Sequence, residues 1–251
     1  MDHYSSLKSL IDNDIECHYF DSLESTSAFL NSLPSSNLTQ LCVTREQTQG
    51  KGQHGREWLS QKDGSILLSI RQTFANDINL SGLSLVVGLA IIKALEKECK
   101  VDGFKIKWPN DIYFREAKLA GILLENNIQE GSQSIIIGVG VNYHLDQEMN
   151  CDNPWIDLSK ICKKIPGIHE LTASIINSIL SMSSHFKLNG LSDLLLQWDQ
   201  YDMLKGAKLK SIELGRSFEG EVQGISDQGA LKVLTKNGTR ELYSSKNIEY
   251  I

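Results

Sequence analysis

Residues 107–125 read KWPNDIYFREAKLAGILLE, two short apolar runs separated by polar turns. The residues that lead into this stretch, 104–108, alternate apolar and polar side chains, and this period of two predicts a strand that ends at Pro109-Asn110-Asp111. Three more strands are predicted downstream, at 112–114, 121–126 and 134–143. The polar turn 129–132 joins the last two strands as a hairpin. This part of the chain therefore predicts a β-sheet.

Helices and strands are mixed along residues 1–204. Two further strands are predicted at 41–44 and 65–71, and Ser25 stands where a helix N-cap is expected. The spacing of apolar residues predicts helices at 83–99, 172–187 and 191–204, with Asn189-Gly190 as a stop between the last two. Because strands and helices do not alternate strictly, we expect an α+β fold with a mixed sheet rather than a doubly wound one.

The pattern changes after Lys205-Gly206. Short alternating runs separated by glycine-containing turns follow at 208–212, 218–225, 230–234 and 239–243. So many short strands in so few residues predict a small β-barrel. We therefore expect two domains, residues 1–204 and residues 205–251.

The composition is that of an ordinary globular protein, with 251 residues, 41% hydrophobic and 22% charged, and a formal net charge of −6. It excludes disordered and fibrous proteins and argues against a nucleic-acid-binding surface, which needs a basic excess. Five scattered cysteines without a C-x-x-C pair argue against a disulfide framework and a zinc site. Because no signal peptide is visible and the longest apolar stretch, 83–95, is too short and polar to span a bilayer, we expect a cytoplasmic protein with no membrane partner.

A glycine-rich loop, QTQGKGQHGREW, occupies residues 47–58. Its glycines allow a close backbone approach to an anion, and its basic side chains suit a phosphate. It lacks the ending of a P-loop, and a flexible hairpin loop is an equal alternative. The acidic excess lies elsewhere, since residues 121–159 hold six acidic residues and no Lys or Arg, whereas Arg45, Lys51 and Arg56 stand against Glu46 near this loop. The net charge therefore does not argue against a nucleotide pocket.

Two other patterns are candidates for chemistry. Asp111 at a strand end, beside Asn110 and within reach of Lys118, is able to hold Mg²⁺ on a phosphate, although a plain turn with a solvated lysine is the alternative. Glycines inside the strand Gly138-Val139-Gly140-Val141-Asn142 indicate either a ligand lying against the backbone or close strand–helix packing. Each pattern alone leaves both interpretations open.

Taken in order, these motifs resemble those of the biotin protein ligases. The resemblance rests on ESTS at 24–27, the glycine-rich loop, KWPND with KLAG, and GVGVN, and it extends from about Asp21 to the C-terminus. It implies a biotin/lipoate ligase-like catalytic domain followed by a small SH3-like β-barrel. The lipoate ligases and transferases share this fold but not the KWPND stretch.

The resemblance assigns residues to three sites. It implies that Ser25 and Thr26 hydrogen-bond the biotin ureido ring, and that Trp58 stacks on adenine, for which an ordinary half-buried strand residue is the alternative. The biotin site comprises Ser25, Thr26, Gln47, Gly50, Lys51, Gln53, Lys118 and Gly121. The ATP or adenylate site comprises Gly50, Lys51, Gly52, Gln53, Trp58, Asn110, Asp111 and Asn142. A metal site comprises Asp111 and Asn142, while Arg56 supports the loop or takes part in catalysis.

The implied activity is that of a biotin–[biotin carboxyl-carrier protein] ligase. Biotin and MgATP form biotinyl-5′-AMP, and a lysine of a biotin carboxyl carrier domain of a biotin-dependent carboxylase then receives the biotin. Lys118 and Asp111 are the implied catalytic residues, with Lys118 stabilising negative charge and Asp111 beside the incoming amine. The substrates are thus ATP and biotin, with Mg²⁺, and a homodimer is a further expectation.

The loop departs from the family's G-R-G-R-x-G motif, because Lys51 and Gln53 stand where the family has arginines. This difference predicts altered retention of the adenylate. Other members begin with a DNA-binding winged helix, for which Ser25-Thr26 leaves no room here, so we expect a short form with no DNA partner. Three alternatives remain at this stage: lipoate or octanoate transfer, a non-catalytic biotin or nucleotide sensor, and an interaction module.

Overall fold

The computed structural model describes residues 4–12, 14–34, 36–129, 131–145, 154–213 and 216–251. Seven strands form one mixed sheet: β1 (Glu16–Phe20), β2 (Gln40–Thr44), β3 (Ser65–Ala75), β4 (Phe104–Lys107), β5 (Asp111–Phe114), β6 (Ala117–Gln129) and β7 (Ser132–Asn142). Their order across the sheet is β1-β2-β3-β7-β6-β5-β4, with β1 and β2 parallel and the other neighbours antiparallel.

In the described residues, six α-helices accompany the strands: α1 (Ser5–Lys8), α2 (Thr26–Ser32), α3 (Leu83–Cys99), α4 (Ile168–Asn189), α5 (Ser192–Leu195) and α6 (Trp198–Tyr201). Helices α3 and α4 pack together and cover one face of the seven-stranded sheet, where they form the main apolar core. Helix α2 covers part of the opposite face, against Cys42 and Ile136. Because side chains alternate between the faces of a strand, the residues on either side of Cys42 and of Ile136 belong to the main core instead.

A second, antiparallel sheet follows in the chain: β8 (Lys208–Glu213), β9 (Arg216–Ile225), β10 (Leu231–Thr235), β11 (Gly238–Leu242) and β12 (Ile248–Tyr250). Its strand order is β11-β10-β9-β8-β12. The predicted α+β fold, a mixed sheet packed with helices followed by a small C-terminal β-domain, is thus confirmed, and the part predicted as an SH3-like β-barrel is a five-stranded antiparallel sheet. The division at residues 204 and 205 stays a prediction, as does the homodimer.

The predicted helix over 191–204 is wrong. The chain forms the two four-residue helices α5 and α6 there, with a turn at 196–197 between them, and α6 ends at Tyr201 because Asp202 leaves the helical conformation with φ −68° and ψ 117°. Its carboxylate instead accepts hydrogen bonds from Trp198 Nε1 and from the backbone N–H of Leu204, both at 2.8 Å. Asp202 and Met203 then run beside Ile106, so the chain covers the outer edge of β4 before it enters the second sheet.

Strands β1 and β12 were missed by the sequence analysis. Strand β1 is half-buried at four consecutive positions, so it shows no alternation of apolar and polar residues. Within the described part of the chain, no helix has the length and apolar character needed to cross a membrane.

Candidate functional site

Two adjoining clefts open on the sheet face that carries α2. The first lies between α2, the loop 47–58 and strands β3, β6 and β7, and the second extends from there to β12 of the C-terminal sheet. Six residues border both clefts: Gly52, Gln53, Trp58, Asn110, Asp111 and Lys118. All six were predicted site residues, brought together from three separate segments of the chain.

The inner end of the first cleft is polar and buried. Ser25 caps α2, with its Oγ accepting from the Ala28 N–H at 3.4 Å, and this places Thr26 at the start of the helix. The Thr26 N–H and Oγ1–H both donate to Gln47 Oε1, at 2.8 and 3.0 Å. With its Oε1 occupied in this way, Gln47 retains its amide N–H groups for other partners.

Ser69 belongs to the same polar group and was missed. It lies on β3, is fully buried, and shares a 2.8 Å hydrogen bond with Thr26 Oγ1. The available signal was a hydroxyl residue inside the otherwise apolar run Ile66–Ile70. Its position on the cleft face follows from the sheet, which the local sequence does not reveal.

Trp58 lies across the sheet at the middle of the first cleft. A Cβ added at Gly140 would sit 2.4 Å from the indole Cε2, and one at Gly121 would sit 2.9 Å from Cζ3. These two glycines therefore allow the close approach of a side chain from the loop, a role that the sequence did not predict, and Gly138 and Gly140 of the GVGVN stretch also border the first cleft. Trp58 is half-buried but lies outside the named strands, and its buried Nε1–H has no hydrogen-bond partner among the described residues.

The loop itself forms a tight hairpin. The N–H of Gly52 donates to Arg56 O at 2.8 Å, and the N–H of Trp58 donates to Gly50 O at 2.9 Å. Two backbone N–H groups of the loop are thus used inside it and do not face an anion. Gly50 is buried beneath the hairpin and borders neither cleft, since a Cβ there would sit 2.5 Å from Trp58 O.

Lys118 and Asp111 form an ion pair where the two clefts meet. Lys118 Nζ lies 2.7 Å from Asp111 Oδ1, and about a quarter of each side chain is exposed. Residues 108–110 do form a turn, as the alternative had it, but Lys118 is not a solvated lysine. Lys118 Nζ also lies 5.5 Å from the centroid of the Trp58 ring, so the ammonium, the carboxylate and the indole meet at one point.

The two asparagines hold the strands that carry this pair. Asn110 Nδ2 donates to Ile122 O at 2.7 Å, which ties the turn before β5 to β6. Asn142 Nδ2 donates to Ile156 O at 3.1 Å and to Lys118 O at 3.4 Å. The segment 154–156, which was not predicted to belong to the site, also pairs with the backbone of Lys118.

The second cleft is bordered by residues from both sheets. Strands β4 and β5 contribute Lys107 and Tyr113, and β12 contributes Ile248 and Tyr250. None of these residues was predicted to belong to the site, although Lys107 opens the KWPND motif. The contribution of β12 had no sequence signal, because it depends on how the two sheets pack.

The predicted metal site offers few protein ligands. Among the described residues no group of three or more His, Cys, Asp or Glu side chains converges on one point. Asp111 and Asn142 both border the second cleft, and Mg²⁺ commonly takes one or two protein oxygens together with substrate phosphates. The donor set thus fits a metal delivered with a nucleotide better than a resident ion.

Arg45, counted with the basic residues near the loop, lies outside both clefts. Its guanidinium forms two 2.6 Å hydrogen bonds to Asp63 and one of 3.1 Å to Asp21. These partners neutralise it, so it adds no free positive charge to the site.

Comparisons with known proteins agree with this geometry. Residues 19–142 match the family described as "Biotin/lipoate A/B protein ligase family", and residues 210–245 match "Biotin protein ligase C terminal domain". The chain is 29% identical over 237 residues to the bifunctional ligase/repressor BirA of Bacillus subtilis, covering 90% of this chain and 72% of that protein. It is 26% identical to the biotin–[acetyl-CoA-carboxylase] ligase of Mycobacterium tuberculosis, covering 75% of this chain and 71% of that protein.

Among solved structures, the biotin protein ligase from Aquifex aeolicus in complex with biotin and ATP superposes with a TM-score of 0.80. The two chains are 26% identical, and the match covers 94% of this chain and 98% of the other.

Proposed function

The chain belongs to the biotin protein ligase family, and from that premise we propose that it joins biotin and MgATP into biotinyl-5′-AMP and transfers the biotin to a lysine of a biotin carboxyl carrier domain. The observation that carries the proposal is the position of the Lys118–Asp111 pair, which borders both clefts at their junction. A reaction between two substrates needs their reacting atoms in contact. One cleft for each substrate, with a cation between them, meets that need.

The first cleft suits biotin. Its inner end offers the hydroxyls of Ser25 and Thr26 and the amide of Gln47, which are neutral groups that match a neutral ureido ring. The Trp58 ring and the glycine backbone of β6 and β7 provide an apolar wall for the rest of the molecule. The carboxylate of a ligand bound this way would extend outward to Lys118.

In the adenylation step, a biotin carboxylate oxygen attacks the α-phosphorus of ATP and pyrophosphate leaves. The Lys118 ammonium stabilises the negative charge on both reacting groups. Lys51, Gly52 and Gln53 stand over the first cleft on the loop, where they hold the adenylate once it forms. Asp111 and Asn142 would hold Mg²⁺, which lowers the charge of the phosphates.

In the transfer step, the lysine amine of a carrier domain attacks the mixed anhydride and AMP leaves. The amine must first lose a proton, and Asp111 is the carboxylate at the junction that is able to accept it. No covalent bond to the enzyme is required. The cysteines at positions 17, 42, 99 and 162 border neither cleft, in agreement with a mechanism without a thiol.

Biotin-dependent exchange of label between pyrophosphate and ATP is the decisive test. We expect exchange when biotin is present, none without it, and none with lipoate or octanoate in its place. Exchange supported by lipoate would instead identify the protein as a lipoate ligase, an enzyme with the same fold. No exchange with any acid, despite measurable biotin binding, would make the protein a sensor rather than a ligase.

A further inference from the structure

Lys107 stands in the second cleft between aromatic rings from two different sheets. Its Nζ lies 5.2 Å from the ring centroid of Tyr113 on β5 and 5.1 Å from that of Tyr250 on β12. Lys107 is half-buried, directly across the β4–β5 hairpin from Asp111. The ammonium group is therefore held in place by the fold rather than free in solvent.

This ammonium group has no anionic partner in the described part of the chain. Asp111, the carboxylate opposite it in the hairpin, is paired with Lys118 instead. Partial burial raises the pKa of the Tyr113 phenol and of the Tyr250 phenol to about 12, so neither ring supplies a negative charge at neutral pH. A half-buried cation without a counter-ion indicates a site for an anionic ligand.

We propose, on the basis of the function proposed above, that Lys107 binds the β- and γ-phosphates of ATP and holds the departing pyrophosphate, and that Tyr250 keeps its ammonium group in position. Attack at the α-phosphorus forms the new bond to the biotin carboxylate and breaks the bond to the bridging oxygen of the β-phosphate. The electron pair of that bond goes to the leaving pyrophosphate. Lys118 lies at the point of attack, and Lys107 lies farther along the second cleft, on the side away from the first.

The geometry gives the C-terminal sheet a part in the first half-reaction. Tyr250 is the second residue from the end of the chain, and β12 carries it into the cleft by pairing with β8. Loss of its ring would leave Lys107 with Tyr113 alone. Lys107 is thus a phosphate-binding residue, and Tyr250 is a positioning residue that acts through it.

The test separates the two half-reactions in the full-length protein. For Lys107→Gln we expect binding of magnesium pyrophosphate, measured by calorimetry, to weaken about tenfold or more, with a matching rise in the KM for ATP. Single-turnover transfer from supplied biotinyl-5′-AMP to a carrier domain contains no pyrophosphate, so its rate should stay within about twofold of wild type. Lys107→Arg, which keeps the charge, should retain pyrophosphate binding.

Two substitutions of Tyr250 form a matched pair that tests its positioning role. Tyr250→Leu should weaken pyrophosphate binding about two- to fivefold, whereas Tyr250→Phe, which keeps the ring, should not. Unchanged pyrophosphate binding in Lys107→Gln would overturn the proposal, and so would equal slowing of both half-reactions. Because pyrophosphate binding is measured without biotin, a wild type that binds pyrophosphate but shows no biotin-dependent exchange would contradict the proposed function and not this site.

Discussion

Lys118 is the residue on which the proposed chemistry depends most. Its ammonium is paired with Asp111 at 2.7 Å, and its backbone is held on both sides by Pro154 and Ile156. Because the Lys118 side chain is already fixed, it does not have to be ordered when the substrates bind. A charge that is preorganised in this way is effective in catalysis.

For Lys118→Gln we expect the rate of adenylate formation to fall about 10²- to 10³-fold, because the variant cannot supply positive charge to the carboxylate and the α-phosphate. Rapid-quench measurement of biotinyl-5′-AMP would give this rate. Lys97→Gln is the control, since the Lys97 side chain is 72% exposed and its ammonium pairs with Glu98, outside both clefts. A normal rate of adenylation in Lys118→Gln would contradict the assignment.

Gln53 is a second residue at which a single substitution tests the proposed site. It is half-buried in the loop turn and borders both clefts. Gln53→Arg would add a charged, two-pronged donor beside the adenylate phosphate, so we expect adenylate to dissociate about tenfold more slowly. Release of labelled biotinyl-5′-AMP measures this rate, and an off-rate equal to that of the wild type would show that position 53 does not control retention.

At the scale of single elements, strand β7 shows why the site needs glycines. Gly138 and Gly140 are two residues apart and lie on the same face of the strand, yet only Gly140 lies under the Trp58 ring. At Gly138 the nearest atom to an added Cβ is Leu123 O, at an ordinary 3.5 Å. Neither glycine has a positive φ, so close packing rather than backbone conformation accounts for Gly140.

These two positions form a matched pair of variants. Gly140→Ala should displace the indole from the cleft, lower the free energy of unfolding by about 1–3 kcal/mol, and raise the KM for biotin. Gly138→Ala should change the free energy of unfolding by less than about 1 kcal/mol. Thermal unfolding and biotin titration of both variants provide the measurement, and equal effects at the two positions would show that Trp58 is not the cause.

Helix α2 is held at both ends by neighbouring strands. Ser25 and Thr26 fix its first turn, while the buried Arg71 of β3 donates to the carbonyl oxygens of Leu30, Leu33 and Pro34 at its end. Burial of this guanidinium lowers its pKa, but the carbonyl groups that close the helix compensate its charge. A seven-residue helix is too short to be stable alone, so the position of Thr26 depends on these contacts.

At the scale of the whole molecule, turns of the two sheets share a buried contact beside the second cleft. In the turn between β4 and β5, Trp108 Nε1 donates to the carbonyl oxygen of Gly229, in the turn between β9 and β10, at 2.9 Å. The Asp202 carboxylate lies nearby in the connection between the sheets, and burial raises its pKa even though hydrogen bonds from Leu204 and Trp198 oppose the shift.

A raised pKa in the folded protein makes stability depend on pH in a definite direction. The folded state holds the Asp202 proton more tightly than the unfolded state, so its contribution to stability is complete below pH about 4 and is lost as the pH rises through the folded pKa. We expect the free energy of unfolding of the wild type, minus that of Asp202→Asn, to decrease over this interval and then level off. Urea titrations across the pH range measure the difference, and one that rises with pH would contradict the assignment.

Local patterns along the chain were sufficient to predict the α+β fold and most of its strands, whereas the meeting of Thr26, Gln47, Asp111 and Lys118 at one cleft was implied by the family resemblance of the motifs. Alternation, turn residues and capping residues are short-range properties, so they can be recognised without knowledge of the fold. They failed at 191–204, where the chain forms two short helices and the buried Asp202 carboxylate ends the second by accepting hydrogen bonds from groups on both sides of itself in the chain.

The tertiary structure alone placed Ser69 beside Thr26, the indole of Trp58 over Gly140, and Lys107 between Tyr113 and Tyr250. Apart from the contact of Lys107 with Tyr113 inside the β4–β5 hairpin, these contacts join segments far apart in the sequence. Which segments meet depends on strand order and on the packing of one sheet against the other, and both follow from burial of apolar surface over the whole chain rather than from any local pattern.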